Sequence, residues 1–313
     1  MTCMALQRSF QKDQSKTQES KVDYKPLPER VPDTQYQDRL RYILEHGIWA
    51  GDTPQGEDAL TCLHVPDMVF DLSNGLPVIT ERKMGFWRGP IAEIIAFMNG
   101  ARTIDEIKGF GCNFWDDYRG MGTELGLEPD DMGPGSYGAA FHDFPMPDGK
   151  TLNQFAQVLE QIKDFPSMRT HLVTSWIPFY TARGKNRKVI VAPCHGVIIQ
   201  FRILGGRLNM VMVQRSADMP IGVPSNMIQY ATLLLMVCQV TGYQPGHYIH
   251  KLIDAHIYAD QLENIEELIK RKPRPFPVLH IDPNVDNLFV FRKEHFALDE
   301  YDPHPAMVIP YNA

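Results

Sequence analysis

Residues 225–241 make an almost unbroken apolar run of helical length, closed by Gly242. A helix that is apolar all round has no face to offer to water, so other elements must enclose it. This demands a fold with layers on both sides of a central helix. The 313 residues, 43% hydrophobic and 22% charged, suffice for one large domain or two small ones. No apolar run reaches the ~20 residues that span a bilayer. The polar N-terminus shows no secretory signal pattern.

Helical spacing begins near Tyr36 and stops around Gly47. Residues 91–99 read as an apolar helix carrying Glu93 and ended by Gly100. Residues 151–164 read as an amphipathic helix with Thr151 as N-cap, and residues 256–270 as another. Residues 68–72 and 76–79 look like two strands around the turn Ser73-Asn74-Gly75. Residues 197–203 and 208–214 suit a hairpin around Gly205-Gly206, and the proline-rich stretch 273–277 leads into a strand. Residues 1–34 lack apolar periodicity and read as a mobile tail. The expected architecture is thus a tail (1–34) and one α/β (α+β) domain (35–313).

Net charge is −7, which points away from nucleic acids and acidic membranes. The five cysteines (Cys3, Cys62, Cys112, Cys194, Cys238) are odd in number and scattered, without a CxxC. They read as free thiols in a reducing compartment, with no metal site. One of them stands apart. Ala192-Pro193-Cys194-His195 and Gln214-Arg215-Ser216-Ala217-Asp218-Met219 lie at the two ends of the expected hairpin, so strand pairing draws Cys194, Arg215 and Asp218 together. A guanidinium beside a thiol favours the thiolate near neutral pH, and a thiolate in a pocket is a nucleophile.

Five ordered motifs carry a resemblance. Pro193-Cys194-His195, Gln214-Arg215-Ser216-x-Asp218-Met219, Gly222-Val223-Pro224-x-Asn226, Asp254-Ala255-His256-Ile257-Tyr258 and Tyr301-Asp302-Pro303-His304-Pro305 resemble the thymidylate synthase family from about Tyr36 to the C-terminus. The resemblance implies a mixed sheet with surrounding helices and a homodimer with sheets back to back. It also implies one-carbon transfer from 5,10-methylenetetrahydrofolate to C5 of a pyrimidine nucleoside monophosphate. C5 is a poor nucleophile until a thiolate adds at C6. Cys194 matches that nucleophile, and Arg215 matches an arginine that meets both phosphate and thiol; Ser216 belongs to the same nucleotide-binding motif. Glu93 matches a glutamate that organises proton transfer about the base, and Tyr137 a tyrosine near the nucleophile. Asp218 matches the aspartate that binds the pterin edge, although a turn or cap would use it equally. Trp115, Gly222 and Ser225 fall on the folate side. His256 and Tyr258 match the pair that binds the sugar 3′-hydroxyl.

Asn226 bears on the base. An amide offers an acceptor and a donor, complementary to uracil N3–H and O4, whereas cytosine-using relatives commonly carry aspartate there. A flipped amide could face cytosine, so its neighbours decide; a helix cap is the plain alternative.

The departures matter as much. The stretch Gly51-Asp52-Thr53-Pro54-Gln55-Gly56 lacks the family's phosphate-binding arginine, and the arginine pair lent across the dimer reads Arg169-Thr170. The segment 176–194 is longer than usual and carries Arg183, Lys185, Arg187 and Lys188, which either replace those contacts or form a solvated loop. Ser225 stands where a phenylalanine is usual and Tyr118 where a second tryptophan is common. The last residues, Ile309-Pro310-Tyr311-Asn312-Ala313, are not small and aliphatic. A more polar wall admits water, and water capture of the exocyclic methylene yields a hydroxymethyl group where hydride yields methyl. These features favour a cytoplasmic dUMP hydroxymethylase over a reductive thymidylate synthase. A dCMP or CMP hydroxymethylase and a non-catalytic nucleotide- or RNA-binding relative are the alternatives.

Overall fold

Strand pairing organises the chain around one mixed seven-stranded sheet in the computed structural model, which describes residues 22–312 apart from 52, 54 and 183. Its strands are β1 (Ile48–Ala50), β2 (Ala59–Cys62), β3 (Met68–Asp71), β6 (Leu172–Val173), β7 (Ile198–Leu204), β8 (Arg207–Asp218) and β9 (Gln244–Tyr258). Two ribbons stand apart, β4 (Phe144–Pro145) with β5 (Thr151–Leu152) and β10 (Val278–Ile281) with β11 (Phe296–Asp299). The sheet order is β1-β2-β9-β8-β7-β6, and β3 shares the β2 side of β9. Every pairing in the sheet is antiparallel except β8 with β9.

The helices are α1 (Gln35–His46), α2 (Arg88–Met98), α3 (Ile104–Gly109), α4 (Tyr137–His142), α5 (Gln154–Asp164), α6 (Pro178–Thr181), α7 (Gly222–Thr241) and α8 (Leu262–Leu268). A parallel pair needs a crossover, and α7 is the connection between β8 and β9. This explains the apolar run. α7 is buried from Met227 to Cys238 without a break, and Gly242 (φ 81°) stops it. The expectation that no apolar run is long enough to span a bilayer is corrected here: α7 has the length and apolarity of a membrane span, yet 83% of its most apolar stretch is buried inside the fold. α2, buried from Pro90 to Met98, packs on it.

The hairpin forms as expected, with Leu204 opposite Arg207 and positive φ at both Gly205 (59°) and Gly206 (75°). That conformation suits glycine and matches strand twist. β8 outruns its partner: pairing with β7 ends at Val213, while β8 continues to Asp218 along β9. The Cys194 carbonyl caps the free edge, accepting from Arg215 N (2.6 Å) and Ser216 N (3.3 Å).

Four local expectations are corrected. Residues 76–79 form no strand; after a single 3-10 turn, Leu72–Asn74, Leu76 N donates to Pro277 O (2.8 Å) and the segment is buried without a ladder. α5 starts at Gln154, because the Asn153 side chain takes the cap by accepting from Ala156 N while Thr151 joins a ribbon. His256 to Tyr258 end β9 rather than begin a helix, since pairing with β2 fixes His256 opposite Thr61 and Tyr258 opposite Ala59. The expected mobile tail also ends too late. Residues 22–34 are tied to the body by Tyr24 Oη to Leu279 O (3.2 Å), a Lys25–Asp71 ion pair and buried Arg30, which donates to Phe276 O (2.7 Å) and pairs with Glu300. Residues 1–21 of that tail lie outside the described residues.

Candidate active site

A cavity of about 500 Å³ opens at the C-terminal ends of the parallel pair β8 and β9, where strand ends in α/β sheets leave a crevice. Alternation along a strand puts residues two apart on one face, and so Ser216 and Asp218 from β8 and His256 and Tyr258 from β9 all line it. Gly222, Ser225 and Asn226 enter from the first turn of α7, Glu93 from α2, and Tyr137 from α4. Trp115 and Cys194 come from loops. Sequence positions more than 160 residues apart thereby meet in one volume.

Cys194 is held from several directions. Arg215 Nη2 lies 3.6 Å from its Sγ, and the thiol donates to Ala192 O (3.4 Å). Its backbone N–H donates to Tyr137 Oη (2.6 Å), as does that of His195 (3.3 Å). The Tyr137 ring is stacked between Phe97 (4.7 Å) and His195 (4.5 Å), and Tyr230 Oη meets His195 Nδ1 at 2.8 Å. Burial holds His195 down at about 3, so it is neutral. The expectation that Arg215 brings the thiol to ionisation near neutral pH is corrected in balance. Burial pushes the Cys194 thiol above its ordinary value, and the guanidinium pulls it back only in part.

Glu93 is 6% exposed on an apolar helix. A carboxylate there is costly unless partnered, and two donors reach it: Trp115 Nε1 to Oε1 (2.7 Å) and Gln229 Nε2 to Oε2 (2.9 Å). Burial still dominates and pushes Glu93 up to about 7. Asp218 is likewise pushed up to about 6 by burial, against the pull of Ile221 N–H on its Oδ1 (3.2 Å). Asp218 therefore braces the turn into α7 and faces the cavity as well. The Ser225 hydroxyl folds back toward Ile221 O (3.5 Å), and Tyr118 Oη meets Tyr311 Oη at 2.9 Å.

Arg169, Arg187 and Lys188 do not reach the cavity wall. Arg169 is exposed before β6, Arg187 Nη2 donates to Ile190 O (2.9 Å), and Lys188 Nζ donates to Leu125 O. Arg183 lies outside the described residues. Two groups were not anticipated. Phe86 and Phe114 meet edge to face (6.0 Å) at the mouth, and Gln229 sits behind Asn226. The signal for Gln229 was present, a polar residue inside an apolar run, three positions along the helix from Asn226.

The family model for thymidylate synthase matches residues 34–313. The chain belongs to the thymidylate synthase family. That family transfers a one-carbon unit to a pyrimidine nucleotide and uses methylenetetrahydrofolate as co-substrate. The cavity fits such a co-substrate: a carboxylate, Asp218, can accept from the donor edge of a pterin, and Trp115, Tyr118, Phe86 and Phe114 line an aromatic wall for flat rings. Among the described residues, no group of three or more His, Cys, Asp or Glu side chains is placed to hold a metal ion.

Proposed function

We propose that the protein transfers a one-carbon unit from 5,10-methylenetetrahydrofolate to C5 of dUMP, with Cys194 adding to C6. The observation that carries this reading is the convergence of the Cys194 thiol, the Glu93 carboxylate and the Asn226 amide on one cavity. In this reading Tyr137 holds the nucleophile's backbone, and Glu93 moves protons about the base. Arg215 and Ser216 receive the phosphate, and His256 and Tyr258 receive the sugar. Folate lies along Trp115, Gly222 and Ser225 against Asp218. The folate supplies the carbon; the protein orients both substrates and controls water.

Further phosphate charge is assigned to Arg169 lent across a homodimer, because Arg187 and Lys188 are engaged with the backbone carbonyls of Ile190 and Leu125. The dimer reading is supported by an uncovered sheet face, where Val69, Leu172, Ile198, Leu204 and Ile253 are exposed. Cys62, Cys112, Cys194 and Cys238 are free thiols, which supports a reducing, cytoplasmic setting.

For the product we favour hydroxymethyl. The Tyr118–Tyr311 hydroxyl pair and Ser225 put polar groups on the folate side, where water capture of the exocyclic methylene takes place. Reductive methylation is the second reading, supported by Trp115, whose indole is locked to Glu93 as an apolar shield. Incubation with methylenetetrahydrofolate and dUMP, dCMP, UMP and CMP, followed by mass spectrometry, tests both. A hydroxymethyl adduct on dUMP is expected; a methyl adduct on dUMP makes the enzyme reductive, and modification of a cytosine nucleotide overturns the assignment of Asn226.

Asp218 gives a pH prediction. Its carboxylate can accept from two pterin donors at once only when ionised, since protonation turns one oxygen into a donor, and its proton leaves at about 6. The KM for folate should therefore rise severalfold as pH falls from about 7 to 5. In Asp218→Asn the folate KM should be high and flat over that range. A wild-type KM that stays flat removes Asp218 from the pterin site.

A further inference from the structure

We propose that Gln229 sets the base preference of the site by passing the polarity of the Glu93 carboxylate to the amide of Asn226. The inference rests on the pyrimidine-nucleotide reading above and deepens it.

Gln229 is fully buried on α7. Its Nε2 donates to Glu93 Oε2 (2.9 Å), and its Oε1 accepts from Asn226 Nδ2 (3.0 Å). An ionised carboxylate can only accept. It therefore requires the Gln229 nitrogen on its own side, which leaves the Gln229 oxygen facing Asn226. That oxygen in turn requires the Asn226 nitrogen. Trp115 Nε1 holds the second carboxylate oxygen (2.7 Å), so the carboxylate cannot turn away. Two amides that would each be free to flip are thus fixed by one charge at the end of the chain.

Asn226 Oδ1 accepts no hydrogen bond from the described residues, and Asn226 lines the cavity. The edge left for a ligand reads nitrogen toward the Glu93–Trp115 side and oxygen away from it. That side is where the reacting C5 lies in the proposed mechanism, with position 4 of the base next to it. The nitrogen then meets position 4 and the oxygen meets position 3. Uracil offers an acceptor at O4 and a donor at N3–H, which fits. Cytosine offers a donor at N4 and an acceptor at N3, which sets donor against donor and acceptor against acceptor. In a dry site the mispaired groups separate the two bases by about fivefold to a hundredfold.

The test is equilibrium binding of dUMP and dCMP by titration calorimetry at pH 8, where the Glu93 carboxyl is largely ionised, to the wild-type protein, Gln229→Met and Glu93→Gln. The wild type should prefer dUMP. Gln229→Met keeps bulk but breaks the chain of hydrogen bonds, and the preference should collapse toward equal binding of the two nucleotides. Glu93→Gln keeps Gln229 but replaces an acceptor-only anchor with an amide that can donate, so the preference should shift toward dCMP. Equal weakening of both nucleotides in Gln229→Met would show a merely structural role and overturn the proposal. An unchanged ratio in Glu93→Gln would overturn the carboxylate as the source of polarity, and it decides the matter alone if Gln229→Met does not fold. A wild-type preference for dCMP overturns the polarity assigned here while leaving the nucleotide reading intact. Binding of neither nucleotide overturns that reading and this inference with it.

Discussion

Replacing Cys194 with alanine should abolish turnover, by about a thousandfold or more, while dUMP binding should stay within severalfold of the wild type. The loss is large because no other group in the cavity can take the same part. Oxygen and nitrogen groups line it, but Cys194 is the thiol in its wall; Cys62, Cys112 and Cys238 are buried elsewhere in the core. Without addition at C6, C5 of the pyrimidine has no enolate character and does not attack the one-carbon donor. Binding survives because Arg215, Asn226, His256 and Tyr258 keep their positions. Asn226, His256 and Tyr258 are held by α7 or the sheet, and Arg215 keeps its bonds to Pro193 O (3.2 Å) and Ala192 O (3.4 Å) when the thiol is gone. Stability should change little, since the backbone N–H of residue 194 still donates to Tyr137 Oη. Single-turnover product formation and calorimetric binding, measured on the same preparation, check the two halves. Turnover within tenfold of the wild type would remove Cys194 from the chemistry. Undetectable turnover by the intact protein, with binding retained in both, would favour the non-catalytic reading.

Glu93→Gln raises stability at pH 8 and loses that advantage in acid. The ordinary carboxyl releases its proton at 4.5, whereas burial holds the Glu93 proton to about 7. Below pH 4.5 the native and unfolded chains both carry the proton, and the glutamate has no charge penalty. Between 4.5 and 7 the unfolded chain has lost a proton that the native chain still keeps, so native stability falls as pH rises through this window. Above 7 the full cost is present, on the order of 3 kcal/mol. A neutral amide of the same size escapes this cost. Thermal unfolding should therefore place the variant several degrees above the wild type at pH 8 and close to it at pH 4.5. A constant difference at all pH values would mean that the carboxyl titrates normally and that the buried network does not hold it. The same substitution should depress turnover if, as proposed, Glu93 moves protons about the base. The opposite signs for stability and activity separate this site from an ordinary core position.

The balance at Cys194 shows how far local chemistry can be read from neighbours in sequence. Cys194 and Arg215 do meet, because a hairpin with a two-glycine turn brings its two ends together whatever surrounds them. The direction of the thiol's shift depends on desolvation as well. Desolvation comes from burial, which only packing supplies. The same holds for helix ends. Asn153, not Thr151, caps α5, because the ribbon with Phe144–Pro145 claims Thr151 first.

What the sequence by itself determined is the frame. The apolar run 225–241 read as an enclosed helix and Gly205-Gly206 as a tight turn, and the five ordered motifs pointed to the family. These are signals of composition and short spacing, and they survive any detail of packing. Tertiary structure decided the rest. His256 and Tyr258 became strand residues because β2 offered a partner. Residues 22–34 became part of the body because Leu279, Asp71 and Phe276 gave them contacts. Arg187 and Lys188 turned to backbone carbonyls instead of the cavity. The polarity of Asn226 depends on Glu93, 133 positions away, through Gln229. A hydrogen bond has a direction, and the direction of this chain is set by a charge that only the fold brings within reach.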